Sequence, residues 1–227
     1  MCLAIVMPET KETNISYLRN GYDSNSHGAG FVYSQGGKLY SQKGFFTFED
    51  FLEEYNKIPD NCPCLVHFRF RSAGATDAAN CHPFAVNENI SFIHNGTLPT
   101  GSSTEFSDTY WFNESILKPY LIQDKNYLDK NLVIDLGHLI GGGNKLCFLN
   151  NEGKTFIVNE SKGYWEKGNW YSNKSYETRV IRHNVRYYED EGNWHGYGVG
   201  NAPMDESFNE WIYKVYQDYV FSNCRDI

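Results

Sequence analysis

Apolar and polar positions along the 227 residues follow two periods, and the places where the period changes mark out the elements. The chain opens MCLAIVM, an apolar run of strand length directly after a cysteine. GAGFVY (28–33) and GKLYSQ (37–42) are rich in β-formers and flank the turn signal Gly36-Gly37, which predicts two strands. TFEDFLEEYNKIP reads as a short helix: Thr47 is a cap, Asp50 follows three residues on, and Pro59 stops it. CLVHFRF (64–70) and ISFIHN (90–95) predict further strands, the second running into Asn-Gly. From Ser107 the period becomes helical, with Tyr110, Trp111, Ile116 and Leu117 roughly on one face. A second helix is predicted from Tyr127 to Ile140, ended by Gly141-Gly142-Gly143. KLCFLN, KTFIVN and NWYSN return to strands. After about Tyr176 the chain is polar until MDESFNEWIYKVYQDYVF, where an amphipathic terminal helix is expected.

Strands, then helices clustered in the middle, then strands again predict an α+β protein with antiparallel sheets, not a parallel βαβ array. Composition adds little to the fold and more to the partners. The hydrophobic content of 41% and charged content of 21% suit a globular chain, expected as one domain over 1–175 with an extension over 176–227. A net charge of -8 argues against sequence-independent nucleic-acid binding, which needs a basic face. No apolar run approaches the roughly 20 residues that span a bilayer. No basic-then-apolar leader is visible, so no membrane partner and a cytoplasmic location are expected. Of the six cysteines, Cys62, Cys64 and Cys81 with His82 can be read as metal ligands. Their spacing is not that of a zinc ribbon or finger, so reduced cysteines packed as small apolar residues are expected, together with Cys147 and Cys224.

Candidate chemistry changes the picture more. Cys2 precedes the first strand. HFRFRSAG (67–74) places Arg69 and Arg71 in a strand that turns through Ser72, Ala73 and Gly74. NCHPF (80–84) precedes a strand, HNG (94–96) ends one, and SDT (107–109) puts an acid at a helix start. With NGYDSNSHGAG, these stretches in this order resemble the motifs of class II glutamine amidotransferases, which are N-terminal nucleophile hydrolases. HNG is similar to that family's oxyanion motif, SDT to its substrate motif, and the later strands GGGNKLCFLNNEGKTFIVN and WYSN follow its pattern to about residue 175. The resemblance implies a four-layer αββα sandwich and a stand-alone glutaminase with no cofactor and no metal. L-glutamine would be hydrolysed to glutamate, and ammonia passed to a separate acceptor-activating partner.

The implied roles are chemically coherent. Cys2 carries a thiol with an unperturbed pKa of about 8.5. Once Met1 is removed it also carries an α-amine of pKa about 7.7–8.0, so nucleophile and base sit on one residue. The resemblance assigns the oxyanion to the Asn95 carboxamide and the Gly96 N–H. It assigns the α-carboxylate to the Arg69 fork, Ser72 and the Ala73 N–H, and the α-ammonium to Asp108. Each residue also has a plainer role. Cys2 can be incidental, Arg69 a structural ion-pair residue, Asp108 a helix cap, and Asn95-Gly96 a tight turn. His67, His82 and His94 are expected as hydrogen-bonded framework, since the chemistry needs no imidazole. Arg71 and Ala73 depart from the family pattern. Strand alternation puts Arg71 on the Arg69 face, where it could take a further anionic group. The alternatives are a cysteine amidohydrolase acting on another γ-glutamyl amide, and a catalytically silent binding subunit.

Overall fold

The computed structural model describes residues 2–9, 11, 13–98, 100–123, 129–177, 185–190 and 193–198. The chain divides into two units, Met1–Arg179 and Val180–Ile227. In the second, β11 (Val185–Asp190) and β12 (Asn193–Gly198) pair as an antiparallel hairpin in a stretch where no strand was predicted. The expected terminal helix and Cys224 lie outside the described residues.

The first unit is built on two antiparallel sheets. One contains β1 (Leu3–Met7), β2 (Ala29–Gln35), β3 (Lys38–Phe45), β4 (Cys64–Phe68), β9 (Tyr164–Glu166) and β10 (Asn169–Tyr171), in the order β3-β2-β4-β1-β10-β9. The other contains β5 (Phe84–Asn87), β6 (Ile90–Asn95), β7 (Lys145–Asn150) and β8 (Thr155–Val158), in chain order. Helices α1 (Ile15–Ser24) and α2 (Phe48–Asn56) cover the first sheet. Helix α3 (Asp108–Phe112) continues through a π-helical turn, Asn113–Leu117, into α4 (Lys118–Gln123). With α5 (Lys130–Ile140) these helices cover the second sheet.

Alternation along each strand sorts the side chains into three apolar layers. Leu3, Ile5, Met7, Phe31, Val66 and Phe68 pack with Leu18, Phe48 and Phe51 of the helices. Their strand neighbours Ala4, Val6, Val32 and Leu65 meet Ile93, Cys147 and Leu149 of the other sheet. Phe92, Leu146, Phe148 and Val158 turn outward onto Phe112, Leu121, Leu132 and Leu136. Helix, sheet, sheet, helix is therefore the layer order, as expected. The helices are not confined to the middle of the chain, however. α1 was not predicted, because its burial is confined to Leu18, Gly21 and Tyr22, although Asn14 caps it by accepting from the Ser16 N–H at 2.8 Å. α2 starts as predicted, with Thr47 Oγ1 accepting from the Asp50 N–H at 3.1 Å. α5 begins at Lys130, capped by Asp129.

Candidate functional site

Cys2 stands just before β1, on the parity of Ala4 and Val6, so it faces the space between the sheets. Its partners are far away in sequence. The Phe70 N–H approaches Cys2 Sγ at 3.3 Å, and the thiol approaches the Phe70 carbonyl at 3.4 Å. The Cys2 carbonyl accepts from Asn95 Nδ2 at 2.5 Å and from Asn173 Nδ2 at 2.7 Å. Burial pushes the Cys2 thiol pKa up, while the Phe70 N–H, the positive amino terminus and Arg69 pull against that rise.

Arg69 follows β4 on the parity of Leu65 and His67, so it too faces the inter-sheet space. It is 3% exposed. Among the described residues it makes no ion pair. Nη1 donates to the Ala75 carbonyl at 2.7 Å and Nη2 to the Ala73 carbonyl at 2.8 Å, which folds the 70–75 segment over the guanidinium. β4 ends at Phe68, so strand alternation does not extend to Arg71. The backbone of Arg71 donates to His27 Nδ1 at 2.9 Å and its side chain is exposed. The expectation that it shares the Arg69 face is corrected.

Asn95 ends β6, and the chain does not turn back there as a hairpin: its partner strand β7 begins only at Lys145. Gly96 has φ 144°, and a Cβ there would overlap the Asn144 side chain, so only glycine fits. Asp108 is not the helix cap. Ser107 holds that place, its Oγ accepting from the Tyr110 N–H at 3.3 Å. The Asp108 carboxylate accepts from the Leu98 N–H at 2.6 Å and from the Thr109 N–H at 2.8 Å. It therefore lies at a helix start, where backbone dipoles favour negative charge.

Cys2, Arg69, Ser72, Ala73, Gly96 and Asp108 line one pocket, joined by Phe70, His82, His94, Ser107 and Thr109. Asn95 touches it through the Cys2 carbonyl. The open space is about 20 Å³, room for about one water. Larger clefts of about 630 Å³ beside α5 and about 490 Å³ beside Tyr17 and Tyr171 contain none of these residues. Cys62, Cys64 and Cys147 are free thiols buried in the apolar layers, and Cys81 is a free buried thiol outside them that donates to the Asp77 carbonyl at 3.2 Å.

Sequence reasoning missed Asn173, although WYSN belongs to the set of motifs, because a terminal asparagine carries no local sign of what it holds. It also treated the three histidines alike. His67 Nε2 lies 2.9 Å from the His94 carbonyl, so it donates. His94 Nε2 lies 3.0 Å from Asn144 Oδ1, and the Asn144 amide donates to the Ile140 carbonyl at 2.7 Å. That fixes Oδ1 as acceptor and His94 Nε2 as donor, leaving His94 Nδ1 to accept from Thr109 Oγ1 at 2.8 Å. Burial lowers the pKa of all three, His67 to about 3, so each is neutral.

No protein-family model matches the chain, and no curated protein matches it. Among solved structures it is similar to the glutamine phosphoribosylpyrophosphate amidotransferase from B. subtilis complexed with ADP and GMP. That match has 17% identity over 75% of this chain and 41% of the other, at a TM-score of 0.48. A structure described as the allosteric regulatory enzyme of purine biosynthesis matches at 19% identity, with the same coverage and a TM-score of 0.47. A glutamine aminotransferase class-II domain protein from Silicibacter pomeroyi matches at 13% identity over 66% of this chain and 73% of that one, at a TM-score of 0.38. The chain thus spans about two fifths of the length of the first two. Among the described residues no helix is long and apolar enough to cross a membrane.

Proposed function

We propose that this protein is a glutaminase of the class II amidotransferase type. The observation that carries the reading is the convergence of Cys2, Arg69, Ser72, Ala73, Gly96 and Asp108, drawn from distant segments, on one inter-sheet pocket. With Met1 removed, the neutral α-amine of Cys2 takes the thiol proton, and the thiolate attacks the side-chain carbonyl carbon of L-glutamine. The carbonyl π bond opens onto oxygen, where the Asn95 amide and the Gly96 N–H oppose the developing charge. The C–N bond then breaks, the nitrogen takes a proton and leaves as ammonia, and the thioester is hydrolysed to glutamate. Arg69 and Asp108, one fixed charge of each sign, suit the two α-groups of a free amino acid. A space of about 20 Å³ admits water but not glutamine, so binding requires the segment folded over Arg69 to give way. Ammonia goes to a separate acceptor-activating protein, and the reaction is placed in the cytoplasm.

While Met1 remains attached, the Cys2 nitrogen is an amide without basic character, and burial keeps the thiol protonated. The unprocessed chain is the silent form. The test is N-terminal mass spectrometry together with glutamate release from L-glutamine. The processed wild type should turn over, and Cys2→Ala should lose at least about four orders of magnitude in kcat. Activity surviving that substitution would falsify the mechanism.

A further inference from the structure

His82 differs from its two neighbours in one respect. Its Nδ1 lies 3.1 Å from His67 Nδ1, with ring centroids 3.9 Å apart. The His67 proton is already committed through Nε2 to the His94 carbonyl, so neutral His67 presents a bare Nδ1. His82 must therefore donate from Nδ1, and its own Nε2 is the unprotonated nitrogen. Among the described residues that Nε2 is buried without a hydrogen-bond partner, on a ring 5% exposed. A buried acceptor left unpaired is destabilising, so the arrangement calls for a donor. His82 is also one of the residues lining the Cys2 pocket.

We propose that His82 Nε2 accepts a hydrogen bond from the carboxamide N–H of bound glutamine, and so makes the site select the amide over the acid. This rests on the glutaminase reading. A free glutamine brings two donor groups, its α-ammonium and its carboxamide. The ammonium is poorly suited to His82, where Lys43 and Arg69 already contribute positive potential, and the Asp108 carboxylate lines the same pocket. The carboxamide is neutral and offers two N–H groups. The side-chain carboxylate of glutamate, the product, offers only lone pairs and would meet the lone pair of Nε2. A fixed acceptor thus holds the substrate and rejects the product, with its tautomer set by the His94 backbone carbonyl acting through His67. His82 contacts the substrate in this assignment without exchanging a proton with it.

The test uses the full chain, processed at Met1, with Cys2→Ala blocking turnover. L-glutamine and L-glutamate affinities are measured by calorimetry with and without His82→Asn, whose amide can keep the donor to His67 but cannot reach the Nε2 position. The glutamine-to-glutamate affinity ratio should fall by about tenfold in the double variant, as expected for one net hydrogen bond. A purely structural role would weaken both ligands alike. A second measurement leaves His82 in place: the ¹⁵N resonance of its Nε2 should move on adding glutamine and stay on adding glutamate. An unchanged ratio with an unmoved resonance overturns the inference while the glutaminase reading stands. Failure of glutamine to bind the Cys2→Ala chain overturns both.

Discussion

On the helix-facing side of the six-stranded sheet, Phe31, Phe48, Phe51, Tyr55 and Phe68 interlock with ring centroids 5.0–6.1 Å apart. On the side facing the second sheet, the corresponding positions carry Ala4, Val6, Val32 and Leu65, with Trp170 of β10 the one large ring. β4 displays both patterns at once: Cys64, Val66 and Phe68 point to the helices, Leu65 and His67 to the other sheet. The difference has a consequence for function. The helix-facing layer is closed by interlocking rings, whereas the inter-sheet layer is mainly aliphatic and carries polar groups that bridge the sheets at its margins. Bridges occur at both ends of the inter-sheet layer. Ser34 Oγ donates to the Asn151 carbonyl at one, and at the end holding Cys2, His67 reaches the His94 carbonyl and Asn95 reaches Cys2. One layer supplies stability, and the other supplies a place where polar groups can be held between two sheets.

The contrast can be broken by experiment. Phe51→Ala removes a fully buried ring from the aromatic layer and should cost about 3–5 kcal/mol in chemical denaturation. Glutamine turnover measured well below the lowered Tm should stay near wild type. A comparable loss of kcat in the folded variant would show that the layers are not separable.

The inter-sheet layer should instead reveal itself through pH. His67, His82 and His94 have folded-state pKa values depressed by burial, while the unfolded chain titrates near 6.5. As the pH falls below about 6.5 the unfolded state binds protons first. The stability contributed by the neutral rings is therefore intact above that pH and lost on the way down, for His67 until about 3. At pH 5 the loss is about 2 kcal/mol for His67. His67→Gln should flatten the stability-versus-pH curve between 6.5 and 4 by about one histidine's share, whereas Phe51→Ala should shift the curve without changing its slope.

The smallest expected effect concerns the helix edge of the aromatic layer. Thr47→Ala removes the cap of α2 and should cost about 1 kcal/mol, with Thr47→Ser recovering most of it. An unchanged midpoint for the alanine variant would mean that packing of Phe48, Phe51 and Tyr55 alone sets the start of that helix.

Much of this was legible in the sequence because its causes are local. Short apolar or β-former-rich runs, several of them bounded by turn signals, gave β1, β2, β3, β6 and β7, because strand length and composition are local properties. Thr47 and the glycines after Ile140 gave helix ends, because caps act within a few residues. The candidate residues Cys2, Arg69, Asn95, Gly96 and Asp108 could be nominated from short motifs in order. α1 escaped because a helix buried at three positions has a weak stripe, and its Gly21 reads as a breaker. In the fold Gly21 is where the helix crosses Leu3 and Phe68 too closely for any side chain.

What the tertiary structure decided was which polar atom meets which. Cys2 meets Phe70, Asn95 and Asn173 at separations of 68, 93 and 171 residues. No pattern along the chain encodes such pairings, because they arise only when two sheets stack. The same holds for Arg71, placed beside Arg69 by alternation and turned out to solvent by the end of β4. It holds most of all for the histidines. Residue type and spacing make them equivalent, and only their hydrogen-bond partners separate two satisfied framework rings from a third with an acceptor to spare.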